Sequence, residues 1–372
     1  MGDSLLDRNV RSVMVFKQRH VGDVLLATPV FRALRAAFPS ARIAAAVNEG
    51  TQEMLAGNPD IDRIVIFRRS ERDRGGMARL REEARFLSEV RSCRPDLAVQ
   101  LTEGDRGAIL SLLSGAAYRV GAAAARPGLS GKQRFFTHLG PMPPPYRHAV
   151  LRDLDVLAAA GIPHADLSLR FVFSPRDREQ AMLKAKGGGL PENADVAVIQ
   201  PTSRWTFKCW TDEGMAGVVA FLAGKGIVPV VTSGPAPEEA EMAARILKMS
   251  GTAGVLLAGS LSLKELGALI AAARLFVGVD SAPMHIAAAV GTPTVALFGP
   301  TGAYNWAPWE GIDWGYAADR PAGTRHVGRH VVVQKEWECI RRAKDRGRRN
   351  AGMEEITLEE VADAVNRTLA KE

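Results

Sequence analysis

Short apolar runs alternate with helically spaced segments along most of the 372-residue chain. The run Ser12–Lys17 (SVMVFK) reads as a buried strand, and residues 22–38 carry Val24, Leu25, Phe31 and Leu34 at helical spacing. Further strands are predicted at 42–47, Arg63–Phe67 and 96–101, with a helix at 77–90. Strand, short loop and helix in repetition predict parallel strands joined by right-handed crossovers.

Residues 122–146 interrupt this rhythm with five prolines and read as a surface loop, after which 147–160 resumes as a helix. Residues 175–193, polar and containing Gly187-Gly-Gly189, read as the connection between two halves. Strands are then predicted at Val196–Gln200, 227–233, Val255–Ala258, Leu275–Val279 and Thr294–Phe298. Helices at 212–223, Pro237–Met249, 262–272 and 281–290 separate them. Near the end, Thr357 and Glu360 match a capping box opening a helix whose face is Leu358, Val361, Val365 and Leu369. The expected division is 1–174, 175–349 and a terminal helical segment 350–372 whose apolar face suits packing back on either half, the N-terminal one included.

Composition is ordinary for a globular protein, 47% hydrophobic and 24% charged, and the length suits two domains. Ser281 to Trp309 carries no Asp, Glu, Lys or Arg, but its prolines and glycines break it into pieces too short for a membrane span, so it reads as buried core. The three cysteines, Cys93, Cys209 and Cys339, are too far apart for a disulfide framework or a metal knuckle. With no apolar secretory core at the N-terminus, a cytoplasmic location is expected. The net charge of +7 is local: removing Arg341 to Arg349 leaves 42 bases against 40 acids, and Arg68 to Arg94 holds nine arginines against five acids. The basic blocks lack interleaved aromatic residues, which speaks against nucleic acid.

Four strand ends carry candidate chemistry. After the first strand comes Arg19-His20-Val-Gly22-Asp23, continuing to Thr28-Pro29. In open α/β sheets this edge faces the ligand crevice, so Asp23 is either a base meeting a substrate or simply a first-turn acid favoured by the helix dipole. After the first strand of the second half, Thr202, Ser203 and Lys208 form a donor cluster suited to phosphate, although no Walker A pattern is present; the alternative is a solvated lysine beside core tryptophans. Asp280-Ser281-Ala282-Pro-Met-His285 places an acid and a histidine at another strand-to-helix turn. Glu238 and Glu239 open a helix where an acid suits a ribose hydroxyl pair. Asp60-Ile-Asp62 and Asp153-Leu-Asp155 read as solvated acids, and His326 with His330 as part of a basic loop without a third ligand, so no metal site is expected.

Gly22-Asp23 through Thr28-Pro29, Lys208-Cys-Trp210 and Asp280 through His285 together resemble glycosyltransferase family 9, the ADP-heptose:lipopolysaccharide heptosyltransferases, and most of all the heptosyltransferase III branch. The resemblance implies the GT-B fold, with two Rossmann-like domains facing a central cleft, the acceptor held by the first and the nucleotide sugar by the second. It implies an inverting transfer without a metal or other cofactor. Asp23 would be the general base, with Arg19, His20, Gly22 and Thr28 around the lipopolysaccharide inner-core acceptor. Lys208, with Thr202 and Ser203, would meet the departing ADP, Asp280 the donor sugar, and the Ser281 and Ala282 backbone the diphosphate, with His285 also on the donor side and Glu238 or Glu239 at the ribose. Relatives carry several cysteines where this chain has Glu336-Trp-Glu-Cys339 and the arginine block.

Two other classes fit parts of the pattern. A GT-B-like sugar-nucleotide epimerase needs the phosphate loop but no lipid-borne acceptor, and intact Asp23 and Lys208 count against a non-catalytic nucleotide-sugar- or polyanion-binding protein. The basic patches favour a large anionic acceptor, with Arg68 to Arg94 as a docking surface for phosphorylated core sugar or the anionic inner leaflet. A monomer is the expected state.

Overall fold

The computed structural model describes residues 4–69, 75–123, 128–312, 322–336, 338, 341 and 352–370. Arg72 and Arg74 of the first basic patch, Cys339 and most of the Arg341 to Arg349 block lie outside the described residues. The chain divides into two compact units, Met1–Val172 and Phe173–Glu372.

In chain order the first unit contains β1 (Ser12–Lys17), α1 (Val21–Leu26), α2 (Thr28–Ala37), β2 (Arg42–Asn48), β3 (Arg63–Phe67), α3 (Gly76–Ser92) and β4 (Leu97–Gln100). It continues with α4 (Asp105–Leu113), β5 (Tyr118–Ala122), β6 (His138–Gly140) and α5 (Ala149–Ala158). The sheet is parallel throughout, in the order β3-β2-β1-β4-β5-β6. Every residue of β1 and β4 is buried, which is why these strands read as continuous apolar runs and not as alternating ones. Strand order reverses between β1 and β4, and the crevice for a ligand opens at the carboxyl ends of that pair.

The second unit repeats the plan with α6 (Pro175–Gly187), β7 (Val196–Gln200), α7 (Asp212–Gly224), β8 (Val228–Ser233), α8 (Pro237–Met249), β9 (Val255–Ala258) and α9 (Leu263–Ala271). It ends with β10 (Leu275–Val279), α10 (Ala282–Ala289), β11 (Thr294–Phe298), α11 (Ala303–Trp306), β12 (Arg325–Val327), β13 (His330–Gln334) and α12 (Leu358–Leu369). The order is β12-β13-β11-β10-β7-β8-β9, parallel except for β12 at the edge. Here the reversal falls between β7 and β10. Ser281 to Trp309 supplies α10, β11 and α11, with β11 wholly buried.

Several elements differ from the sequence expectation. The single helix at 22–38 is two, α1 and α2, because Pro29 opens a new first turn where its missing N–H costs nothing. Residues 175–193 are mostly helix: Ser174 and Asp177 cap α6 reciprocally, and its polarity reflects an exposed face with only Ala181 and Ala185 buried. The loop at 122–146 holds β6, and the supposed basic loop around His326 and His330 is the β12–β13 hairpin, in which His326 faces Val331 across the ladder. The terminal helix α12 packs within the second unit: Val361, Ala364 and Val365 meet Met215, Val218, Val219 and Leu222 of α7 and Val331 and Val333 of β13. Trp210 Nε1 donates to the Ile356 carbonyl at 3.3 Å and ties this segment down.

Candidate active site

The carboxyl edge of the first sheet carries Asp23 on the first turn of α1, only 8% exposed. Its Oδ2 accepts from the His20 backbone N–H at 3.2 Å, and Arg19 Nε lies 3.7 Å from Oδ1. Arg19 and His20 are exposed and Gly22 is half-buried. Asp23 thus has the first-turn position that the helix dipole favours while remaining at the crevice edge.

Thr28 is placed differently from its neighbours. It is 1% exposed, its Oγ1 donates to the Leu25 carbonyl at 2.8 Å and it accepts from the Arg170 N–H at 3.1 Å. Both roles of the hydroxyl are taken by backbone, so Thr28 serves the junction of α1 and α2 and is set aside as an acceptor contact.

Beside Asp23 the structure holds an ion pair that the sequence reading missed. Lys17 Nζ, at the end of β1, lies 2.8 and 2.6 Å from the two carboxylate oxygens of Asp153 on α5, and both side chains are 7% exposed. Burial pushes the Asp153 carboxyl up and the nearby Asp23 charge adds to this, while Lys17 works the other way. The solvated reading fails for Asp153 and Asp60, which are buried, and holds for Asp62, which is exposed. Asp155 pairs with Arg147 at 2.8 Å, Asp62 with Arg35 at 2.7 Å, and buried Asp60 has Arg170 at 3.4 Å and Arg32 at 3.9 Å. A lysine closing an otherwise apolar strand was the signal for Lys17.

At the switch point of the second sheet, Lys208 Nζ and Asp280 Oδ2 lie 2.7 Å apart. Asp280 follows β10 and is 4% exposed, whereas Lys208 ends a 3-10 turn, Thr206–Lys208, in the loop after β7. The bland reading of a solvated lysine does not hold. Next to it Thr202 Oγ1 donates to Glu239 Oε2 at 2.7 Å and accepts from Gln200 Nε2 at 2.9 Å, and Gln200 Oε1 accepts from Thr232 Oγ1 at 2.8 Å. Glu239 also accepts from the Gly234 N–H at 3.2 Å, and a Cβ at Gly234 would come within 2.8 Å of its carboxylate, so a side chain there would push the carboxylate out of this position. Glu238 is exposed and outside this network, which singles out Glu239. Gln200, which organises it, was not legible as a site residue.

Ser203 is buried, and its Oγ accepts from the Trp205 N–H at 3.3 Å. Ser281 is the N-cap residue of α10, but its hydroxyl turns to the Val279 carbonyl at 3.2 Å and does not cap. The start of α10, with half-buried Ala282, therefore keeps its amide dipoles aimed at the crevice edge, and His285 is buried one turn further on. Among the described residues no group of three His, Cys, Asp or Glu side chains is arranged to hold a metal ion, and no helix is long and apolar enough to cross a membrane.

The model of the glycosyltransferase family 9 (heptosyltransferase) matches residues 84–324. The chain is 33% identical over 294 residues to lipopolysaccharide heptosyltransferase 3 of Escherichia coli K12, covering 78% of this chain and 83% of that protein. Among solved structures, the family 9 glycosyl transferase of Veillonella parvula superposes with a TM-score of 0.81 at 22% identity, covering 100% of this chain and 99% of the other. The E. coli heptosyltransferase WaaC with ADP gives 0.69 at 20% identity, covering 96% and 99%. These likenesses show the GT-B fold, and the two doubly wound sheets are its two Rossmann-like domains. The chain belongs to glycosyltransferase family 9, and it is a glycosyltransferase.

Proposed function

We propose that this enzyme transfers a heptose from ADP-heptose to the inner core of lipopolysaccharide, with inversion and without a metal ion, as a heptosyltransferase III-like enzyme. The observation that carries the chemistry is the Lys208–Asp280 pair at the switch point of the second sheet, where a protein cation stands ready for a diphosphate. The substrate class follows from the 33% identity to lipopolysaccharide heptosyltransferase 3.

In this reading the acceptor hydroxyl attacks the anomeric carbon, its proton passes to the Asp23 carboxylate, and the carbon–oxygen bond to the diphosphate breaks with its electron pair leaving on ADP. Lys208 and the amides opening α10 offset the charge growing on ADP, Thr202 and Ser203 border the phosphates, and Glu239 accepts from the ribose hydroxyls. Asp280 holds Lys208 in place and bonds the donor sugar. Arg19, His20 and Gly22 border the acceptor.

The basic patch fits peripheral docking of an otherwise cytoplasmic protein on phosphorylated core sugar at the anionic inner leaflet. Arg79, Arg81, Arg91 and Arg94 are exposed for that purpose, whereas Arg85 is taken up by Glu82 and Glu89. The deciding experiment incubates the protein with ADP-heptose and core-truncated lipopolysaccharides, following ADP release with and without chelator and the anomeric configuration of the product by NMR. Chelator-resistant release with inversion is expected. A divalent-ion requirement, retention, or no transfer to any heptosylated acceptor would overturn the proposal.

A further inference from the structure

A second polar feature lies on the same edge, on the far side of β11 from Asp280. Gln334, the last residue of β13, is 3% exposed, and its Nε2 donates to the carbonyls of Gly299 at 3.0 Å and Thr301 at 2.9 Å. It thereby latches the loop that follows β11. Its Oε1 and the Oγ1 of Thr301 are both buried, and neither has a hydrogen-bond partner among the described residues. An amide oxygen and a hydroxyl left without partners on two residues joined by a side-chain-to-backbone hydrogen bond are unusual in a folded interior and call for an occupant.

Register locates them. Gln334 pairs with Phe298 of β11, and on the other side of β11 the Asp280 N–H bonds the Leu297 carbonyl at 3.2 Å. Asp280 and Gln334 thus flank the end of β11 at a separation of about two strand spacings, roughly 10 Å. Glu239, after β8, lies on the opposite side of Lys208. Read across the sheet edge, the order is ribose acid, diphosphate cation, then the unsatisfied pair.

We propose that Thr301 and Gln334 form the subsite for the distal hydroxyls of the transferred sugar, Thr301 Oγ1 donating to one and Gln334 Oε1 accepting from it or its neighbour. The inference rests on the reading of the second unit as an ADP-sugar site, and it makes these two side chains specificity determinants for a polyhydroxylated sugar. Neither touches the reacting bond.

The test measures binding of ADP and of ADP-heptose to the full chain by calorimetry for wild type, Thr301→Val and Gln334→Glu. Gln334→Glu keeps an acceptor oxygen while losing the loop latch; Thr301→Val removes only the hydroxyl. Thr301→Val should weaken ADP-heptose about 10-fold and leave ADP within twofold, since a site built to bond a hydroxyl discriminates through it. Gln334→Glu, which sets a carboxylate oxygen against the Gly299 and Thr301 carbonyls and releases the loop that carries Thr301, should weaken ADP-heptose at least as much as Thr301→Val. Equal weakening of ADP and ADP-heptose, or no change for either in Thr301→Val, overturns the subsite. Wild-type binding tests the underlying reading separately: wild type that binds ADP-heptose no more tightly than ADP removes the sugar site altogether.

Discussion

Lys208 and Asp280 are joined at 2.7 Å, with the lysine side chain 19% and the aspartate side chain 6% exposed. In the proposed reading the carboxylate holds the ammonium next to the start of α10 until a diphosphate competes for it. Lys208→Ala should lower kcat about 100- to 1000-fold, the range for losing one preorganised stabiliser of a leaving charge. It should also cost about 2 kcal/mol of stability, because Asp280 is left buried without its donor. The double variant Lys208→Met with Asp280→Asn separates the effects: it should recover most of the lost stability and none of the turnover. Recovery of turnover would show that the pair is structural.

Asp23 has a different expected signature. As a general base its loss removes an interaction made only as the acceptor hydroxyl gives up its proton, so Asp23→Ala should lower kcat about 100-fold or more while ADP affinity stays nearly unchanged. Single-turnover transfer together with ADP calorimetry checks both halves. Parallel loss of ADP affinity would assign Asp23 to architecture.

The legibility of this molecule followed burial. Strands buried on both faces, such as β1, β7 and β10, announced themselves as apolar runs, and the strand-to-helix turns beside them therefore located Asp23, Lys208 and Asp280. Short edge strands did not: β6 has three residues inside a proline-rich stretch, and β12 carries Arg325 and His326. What stayed hidden in the site were partners distant in sequence. Lys17 and Asp153 are separated by 136 positions, and Thr202 and Glu239 by 37, so nothing local distinguished Asp153 from a solvated helix acid or Glu239 from Glu238.

The Lys17–Asp153 pair makes its own prediction. Both groups are desolvated, so removing one strands the other: Asp153→Leu should destabilise the protein by about 3 to 5 kcal/mol. The double change Lys17→Met with Asp153→Leu should cost much less, since an apolar pair of similar volume is often tolerated. Urea denaturation of the two single variants and the double measures this. Additive losses would mean that the two residues act independently, contrary to their bidentate contact.

His330 sets a pH limit. It is fully buried at the start of β13, neither ring nitrogen has a hydrogen-bond partner among the described residues, and burial lowers its pKa to about 4 although Glu310 nearby pulls it upward. The folded state therefore holds the neutral ring, whereas the unfolded chain protonates it at about 6.5. Below that value the unfolded state binds the extra proton, so this contribution is fully present above pH 6.5 and is lost as pH falls toward 4, amounting to about 3 kcal/mol across the window. His330→Phe keeps a ring of similar size and removes the titration. Chemical denaturation of both proteins from pH 7 to pH 4 should show the wild type losing stability faster than the variant. Curves that fall in parallel would mean that the acid sensitivity comes from paired carboxylates such as Asp62 and Glu82, whose pKa values are lowered, and not from His330.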